Sequence, residues 1–190
     1  MTFSTSVSPD GKRFALAKGH IAASDSDRLR VALKSADRDS FGNKIVALDS
    51  PGGSGMEAFL MVEVMDRERV STVVPPGAAC ASACDSVLSG IHRTVEVGGR
   101  LGLHSCHDSR KRSRSVICNE LIAQNAVAHG TVYGSIMAFM HLGAPTQMRW
   151  LDASDADCWG FTRQPPDSGT GGQRGHTMAC GIGSTPPRLR

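Results

Sequence analysis

The sequence predicts an α/β domain built on a mostly parallel sheet, and three observations predict it. Short apolar runs of strand length alternate with stretches of helical periodicity from residue 13 to about residue 141. Several of those runs end in loops rich in Gly, Ser and Pro. Three such loops, at Ser50 to Gly53, Gly77 to Ser82 and His104 onward, carry residue types able to do chemistry. Parallel sheets gather their active residues at the carboxyl ends of their strands.

Taken in order, residues 1–11 read as a flexible N-terminus, and Arg13-Phe14-Ala15-Leu16-Ala17 as the first strand. Asp25 to Ser35 reads as an amphipathic helix, with Leu29 and Leu33 one turn apart on one face. Lys44 to Leu48 is a short apolar strand running into Ser50-Pro51-Gly52-Gly53, and residues 57–67 are helical in pattern. Ser71 to Val74 is the next strand, and Ser82 to Leu88 begins another helix. Thr94 to Val97 and Arg100 to His104 flank Gly98-Gly99 as strands, and a long helix fills roughly 115–141, broken near Gly130 or Gly134. From 163 to 190 Gly and Pro dominate and few apolar residues are left to bury, so the domain is expected over 12–162 with a disordered tail after it.

Composition narrows the function classes. The 190 residues are 40% hydrophobic and 21% charged with a net charge of +3, ordinary values for a globular domain large enough to bury a core. Basic residues cluster only at Arg110-Lys111-Arg112-Ser113-Arg114, and aromatics are 5%, which argues against a nucleic-acid surface. No apolar run is long enough to span a bilayer. The N-terminus lacks the charged and apolar regions of a secretion signal, which predicts a cytoplasmic location, or a periplasmic one if a leader precedes the sequence given. Six cysteines in a chain this long do not suggest a small disulfide scaffold.

Ser82 follows a strand and a Gly-containing turn and falls at the start of a predicted helix, where unpaired backbone N–H groups stabilise a developing oxyanion. The plainer reading of such a serine is a helix N-cap. Ser50-Pro51-Gly52-Gly53-Ser54-Gly55 lacks the Gly-Lys-Ser/Thr ending of a phosphate-binding loop, but two adjacent glycines allow close approach of backbone to substrate. His104 closes a strand and can serve as general base toward a hydroxyl, with His107 as its neighbour and competitor. Cys80 and Cys84 flank the serine. They read as small buried thiols in a reducing compartment, as a disulfide pinning the turn in an oxidising one, or, with Cys106 and His107, as a metal set.

In this order the pieces resemble the ClpP protease and its wider ClpP/crotonase-fold relatives. Leu48-Asp49-Ser50-Pro51-Gly52-Gly53-Ser54 is similar to the family's oxyanion loop, Ala81-Ser82-Ala83 to its nucleophile turn, and Gly102-Leu103-His104 to its histidine strand end. Gly19-His20-Ile21 resembles its early turn, and Trp150-Leu151-Asp152-Ala153 through Trp159-Gly160-Phe161 its closing element. The resemblance covers roughly residues 12–162 and is nearest to the ClpP-like predicted periplasmic proteins of bacteria that carry a Cys-x-Ser-x-Cys turn.

The resemblance implies repeated β-β-α units, a long C-terminal helix arm and assembly into homo-oligomers. It implies a serine peptidase acting on a peptide or protein without cofactor or metal, with Ser82 as nucleophile, His104 as base, and Gly52, Gly53 and Ala83 as the backbone oxyanion and substrate-binding residues. At the register of the family's catalytic acid this chain has Met148. Asp152 is the nearest candidate for the third member, and it also fits a helix cap with Asp155 three residues on; Asp108 is the other candidate. Some relatives pair serine with lysine, but Lys111, the sole lysine after Ser82, lies in the basic loop. A crotonase-type acyl-CoA enzyme and a non-catalytic binding or assembly protein remain the alternatives, and no residue pattern identifies an ATPase partner.

Overall fold

Thr2–Val7, mostly exposed along its length, forms an edge strand, β1, paired antiparallel to β2 (Arg13–Lys18) in the register Thr2 to Lys18 through Val7 to Arg13. The computed structural model describes residues 1–106, 113–142, 144 and 146–165. The N-terminal eleven residues are therefore not a flexible lead-in. Backbone hydrogen bonds to β2 hold them, and Gly11, at φ +82°, turns the chain between the two strands.

Beyond β2 the sheet is parallel. β3 (Lys44–Asp49), β4 (Val70–Val74) and β6 (Arg93–Val95) follow it in the order β1-β2-β3-β4-β6. The apolar runs without strict alternation, such as Ile45-Val46-Ala47-Leu48, are the strands of this sheet's interior. A second sheet of three strands has the order β5-β7-β8, from β5 (Ala79–Ala81), β7 (Arg100–Leu103) and β8 (Arg149–Leu151). β5 pairs parallel with β7, β8 antiparallel, and an isolated bridge between Ser50 and Cys80 links the end of β3 to β5. Sequence patterning reads no strand at Ala79–Ala81, because three residues carry too little periodicity.

The helices α1 (Asp25–Leu33) and α2 (Gly55–Glu68) sit where their periodicity places them, and Ser54 caps α2 by accepting from the Glu57 N–H at 3.3 Å. α3 (Cys84–Val87) is a single turn. The helical stretch expected over 115–141 is broken at Gly130, one of the two positions expected: α4 (Val116–Ala128) and α5 (Tyr133–Leu142) are separated by a turn in which Gly130 takes φ +82°. α6 (Ala153–Cys158) follows β8.

Val46, Leu48, Met61, Val74, Leu101 and Leu103 are buried in one core. Complete burial of such a side chain contributes roughly 1.5–3 kcal/mol before entropy is counted. Phe139 of α5 meets Trp159 and Phe161 edge-on at 5.1 and 5.7 Å, fixing α5 against the segment that follows α6. Arg93, 1% exposed, is held by neutral acceptors: its guanidinium donates to the carbonyls of Phe161 and His129 and to the Thr131 hydroxyl. Burial pulls its pKa down to about 10, so it stays charged at neutral pH. Arg93 and Arg163 also exchange backbone hydrogen bonds, so ordered pairing reaches one residue past the expected boundary at 162. Most of the expected tail lies outside the described residues.

Candidate active site

Three strand ends converge on Ser82. The end of β3 meets β5 through Ser50, whose N–H donates to the Ala79 carbonyl at 2.6 Å and whose carbonyl accepts from Ala81 N–H at 2.9 Å. On its other side β5 lies along β7, and the Ser82 N–H donates to the Gly102 carbonyl at 2.9 Å, one residue beyond the ladder. Gly102 leaves room there: a Cβ would sit 2.8 Å from the Trp150 ring and 3.0 Å from the Ala81 Cβ.

Ser82 itself has φ +56°, in the left-handed region that a residue with a Cβ enters at a cost of about 1–2 kcal/mol. The turn is held from both sides: the Asp85 N–H donates to the Ser82 carbonyl at 2.9 Å, and a disulfide joins Cys80 to Cys84 across the serine. The plain N-cap reading does not hold, since Ala83 occupies the cap position of α3 and the Ser82 hydroxyl is engaged elsewhere.

His104, just past β7, places Nε2 2.7 Å from Ser82 Oγ and Nδ1 2.8 Å from the carbonyl oxygen of Ser105. A carbonyl only accepts. The proton therefore resides on Nδ1, and the Nε2 lone pair faces the serine hydroxyl, which donates to it.

Gly52 and Gly53 form the opposite wall. Gly52, φ +94°, packs so closely that a Cβ would lie 2.5 Å from the Ala81 carbonyl oxygen and 2.7 Å from the Ser82 Cβ. Gly53, φ +144°, would drive a Cβ into the Ile21 carbonyl and the His20 ring. The Ile21 N–H donates to the Gly52 carbonyl at 2.8 Å and the Ser54 N–H to the Ile21 carbonyl at 3.0 Å. In such a parallel bridge the N–H of the middle residue, Gly53, points to the other side. Among the described residues, no backbone acceptor takes the N–H of Gly53 or of Ala83.

The expected third member is corrected. Asp152 caps α6: its Oδ1 accepts from the Asp155 N–H at 3.0 Å and the Ser154 hydroxyl at 2.8 Å, while His104 Nδ1 is bonded to Ser105. The four-residue Asp-x-x-Asp pattern is a cap because its carboxylate serves the first turn's unpaired N–H groups. His107, Asp108 and Lys111 lie outside the described residues. Of the readings open for Cys80 and Cys84, the structure has the disulfide across the serine turn and not the buried thiols. Cys80 is bonded to Cys84 and Cys106 to Cys118, and Cys158 is also disulfide-bonded, so Cys80 and Cys84 do not form a metal pair.

Asp85, on α3 directly behind the serine, faces a small cavity lined by Ser86, Ser89, Leu101, Ile122 and Phe161. The residue keeps some accessible surface, but its carboxyl is enclosed; burial pushes its pKa up to about 7, against the lowering pull of the Ser86 hydroxyl and N–H.

The structure brings Ser82, His104, Gly52 and Gly53 together; sequence reasoning did not single out Ser105 and what holds it. The Cys106 N–H donates to Asn119 Oδ1 at 2.7 Å, and the Ser115 N–H to the Cys106 carbonyl at 2.9 Å. The residue pattern offers no signal for Asn119, because the same helix also carries Glu120, Gln124 and Asn125.

No protein-family profile matches the chain, and no curated protein matches its sequence. Solved structures do match. The ClpP protease catalytic domain from Plasmodium falciparum superposes with a TM-score of 0.57 at 15% identity, covering 77% of this chain and 80% of its own. The chain has a ClpP-like fold. A membrane-bound stomatin-specific protease is similar too. Its lysine-to-alanine variant with a substrate peptide gives a TM-score of 0.61 at 19% identity, over 78% of this chain and 71% of that one. Its serine-to-alanine variant gives 0.62 at 18% identity, over 78% and 75%.

Proposed function

We propose that this chain is a serine peptidase working through a Ser82–His104 dyad. The observation that carries the reading is the 2.7 Å contact between His104 Nε2 and the hydroxyl of a serine held at φ +56°. A non-catalytic relic of the fold has no need to keep that pair in register, and an acyl-CoA enzyme of crotonase type would not require the serine.

The chemistry follows from the geometry. Ser82 Oγ attacks the carbonyl carbon of an extended peptide while its proton passes to His104 Nε2. The oxyanion forms between the N–H groups of Gly53 and Ala83, with Gly52 letting the substrate carbonyl approach. His104 then protonates the leaving amine, and a water activated by the same imidazole releases the acyl group from Ser82. The imidazolium is stabilised by the dipole of the Ser105 carbonyl rather than by a carboxylate. Loss of an orienting carboxylate lowers turnover by about 10⁴ in a triad, so a slow enzyme is expected.

Two further parts of the reading rest on this structure. Val116, Ile117 and Leu121 of α4, with Val132 and Tyr133 at the start of α5, expose apolar surface that supports assembly of copies through this region. The disulfides favour an oxidising compartment, the periplasmic alternative, over the cytoplasm.

The test is labelling of the folded protein by a fluorophosphonate, with Ser82→Ala and His104→Ala beside the wild type. Attachment at Ser82 that both substitutions abolish is the expected result. An unlabelled wild type, folded and with its disulfides closed, would end the peptidase reading.

A further inference from the structure

The group that orients His104 is one end of a peptide unit, and Asn119 holds the other end. The Ser105 carbonyl accepts from His104 Nδ1 at 2.8 Å; the N–H of the same peptide, that of Cys106, donates to Asn119 Oδ1 at 2.7 Å. A trans peptide is planar, with its C=O and N–H pointing in opposite directions, so fixing the N–H fixes the carbonyl. The result is a line of four polar groups: Asn119 side-chain oxygen, Ser105–Cys106 peptide, His104 imidazole and Ser82 hydroxyl.

We propose that Asn119 is a positioning residue for the dyad, setting the tautomer and ring plane of His104 through the Ser105–Cys106 peptide. This rests on the dyad reading above. Several features single out the contact. Asn119 is 4% exposed and Ser105 is fully buried, so water does not replace the bonds they make. The Ser105 hydroxyl is buried with no partner among the described residues, so the main chain, and not this side chain, carries the connection. Cys106 is gripped at three points by the first turns of α4: its N–H by Asn119, its carbonyl by the Ser115 N–H, and its sulfur by Cys118. Ser115 in turn caps the helix, its hydroxyl accepting from the Cys118 N–H at 3.3 Å, so the grip is built into the helix start.

Electrostatics favour the same direction. Donation by the Cys106 N–H to Asn119 polarises the peptide and makes its carbonyl a better acceptor for the Nδ1 proton, as hydrogen bonds in a chain strengthen one another. When His104 takes the Ser82 proton, that polarised carbonyl faces the new charge. Asn119 touches neither substrate nor reacting atoms; its effect passes wholly through the peptide.

The experiment combines nitrogen-15 NMR of the His104 ring with fluorophosphonate labelling rates, on the full chain with its disulfides closed. In the wild type the ring is expected as the Nδ1–H tautomer; an Nε2–H ring would overturn the proposal whatever the variants do. Asn119→Leu, close in size but without an acceptor, is expected to lose the tautomer preference and to slow labelling about tenfold, the weight of one buried hydrogen bond. Asn119→Asp keeps an acceptor oxygen and is expected to recover most of the rate and the tautomer. An Asn119→Leu protein with an unchanged ring signature and labelling rate would refute the role. If the wild type does not label at all, the peptidase reading fails, and the ring tautomers of wild type and variants still decide whether Asn119 positions His104.

Discussion

The two halves of the site are held by different means. The serine half is a product of the backbone: Ser50, Ala81 and Ser82 are fixed by strand-type hydrogen bonds, Gly52 by contact with the Ala81 carbonyl, and the turn by a disulfide spanning four positions. The histidine half depends on α4, whose Asn119 and Cys118 reach back to Cys106 from 13 and 12 residues away. Ser82 is thus set by the sheet and His104 by a helix, and the 2.7 Å contact between them exists only if both are in place. Both halves need tertiary structure, the first through strand pairing and the second through a helix reaching back.

The sharpest way to break the serine half is Gly52→Ala. The added methyl would sit 2.7 Å from the Ser82 Cβ at a backbone φ of +94°, so the turn must move. Labelling at Ser82 is expected to fall a hundredfold or more, roughly the scale of losing a key oxyanion contact, with a stability loss of about 1–3 kcal/mol. Normal labelling of this variant would mean that the nucleophile turn is not rigidly set.

A smaller effect concerns what lies behind that turn. The folded state raises the Asp85 pKa from 3.8 to about 7, so it keeps a proton that the unfolded chain has released. Stability therefore declines as pH rises from about 4 to about 7 and stays lowered above that range. Asp85→Asn should remove the decline, raising stability at pH 8 by on the order of 2–4 kcal/mol at most and leaving it little changed at pH 4. Thermal melts of both proteins across this range measure it; equal slopes would show that the carboxyl is solvated.

The smallest effect sharpens the histidine half by exclusion. Asp152→Ala removes the cap of α6 and should cost about 1 kcal/mol in a denaturant titration. Labelling at Ser82 should stay within about twofold of wild type, against the roughly 10⁴ expected of a triad acid. A large loss of labelling would restore Asp152 to the site.

The same division explains what was legible in the sequence. The Ser-Pro-Gly-Gly loop, the serine after its strand and the histidine at its strand end are visible because each is a local rule: a glycine needed at positive φ, or a chemistry-bearing residue where a strand stops. The strands and helices with clear periodicity are legible for the same reason. β1 was missed because Thr and Ser dominate it and its partner lies across a turn. The break expected near Gly130 or Gly134 falls at Gly130, where the turn sends α5 toward Trp159 and Phe161. The choice between thiols and a disulfide at Cys80 and Cys84, the Cys106–Cys118 pairing and the Ser105 carbonyl were out of reach, since neither the redox state of a thiol nor the aim of a main-chain carbonyl is written in residue type.

A histidine oriented by main chain has properties that one oriented by a carboxylate does not. The Ser105 carbonyl has no proton to gain in mild acid, so its hold on His104 is the same on both sides of the range where a carboxylate would lose its charge. It also belongs to no side chain. A substitution at residue 105 leaves the acceptor in the chain, so inherited change can disturb this site at its neighbours but cannot delete the group that aims His104.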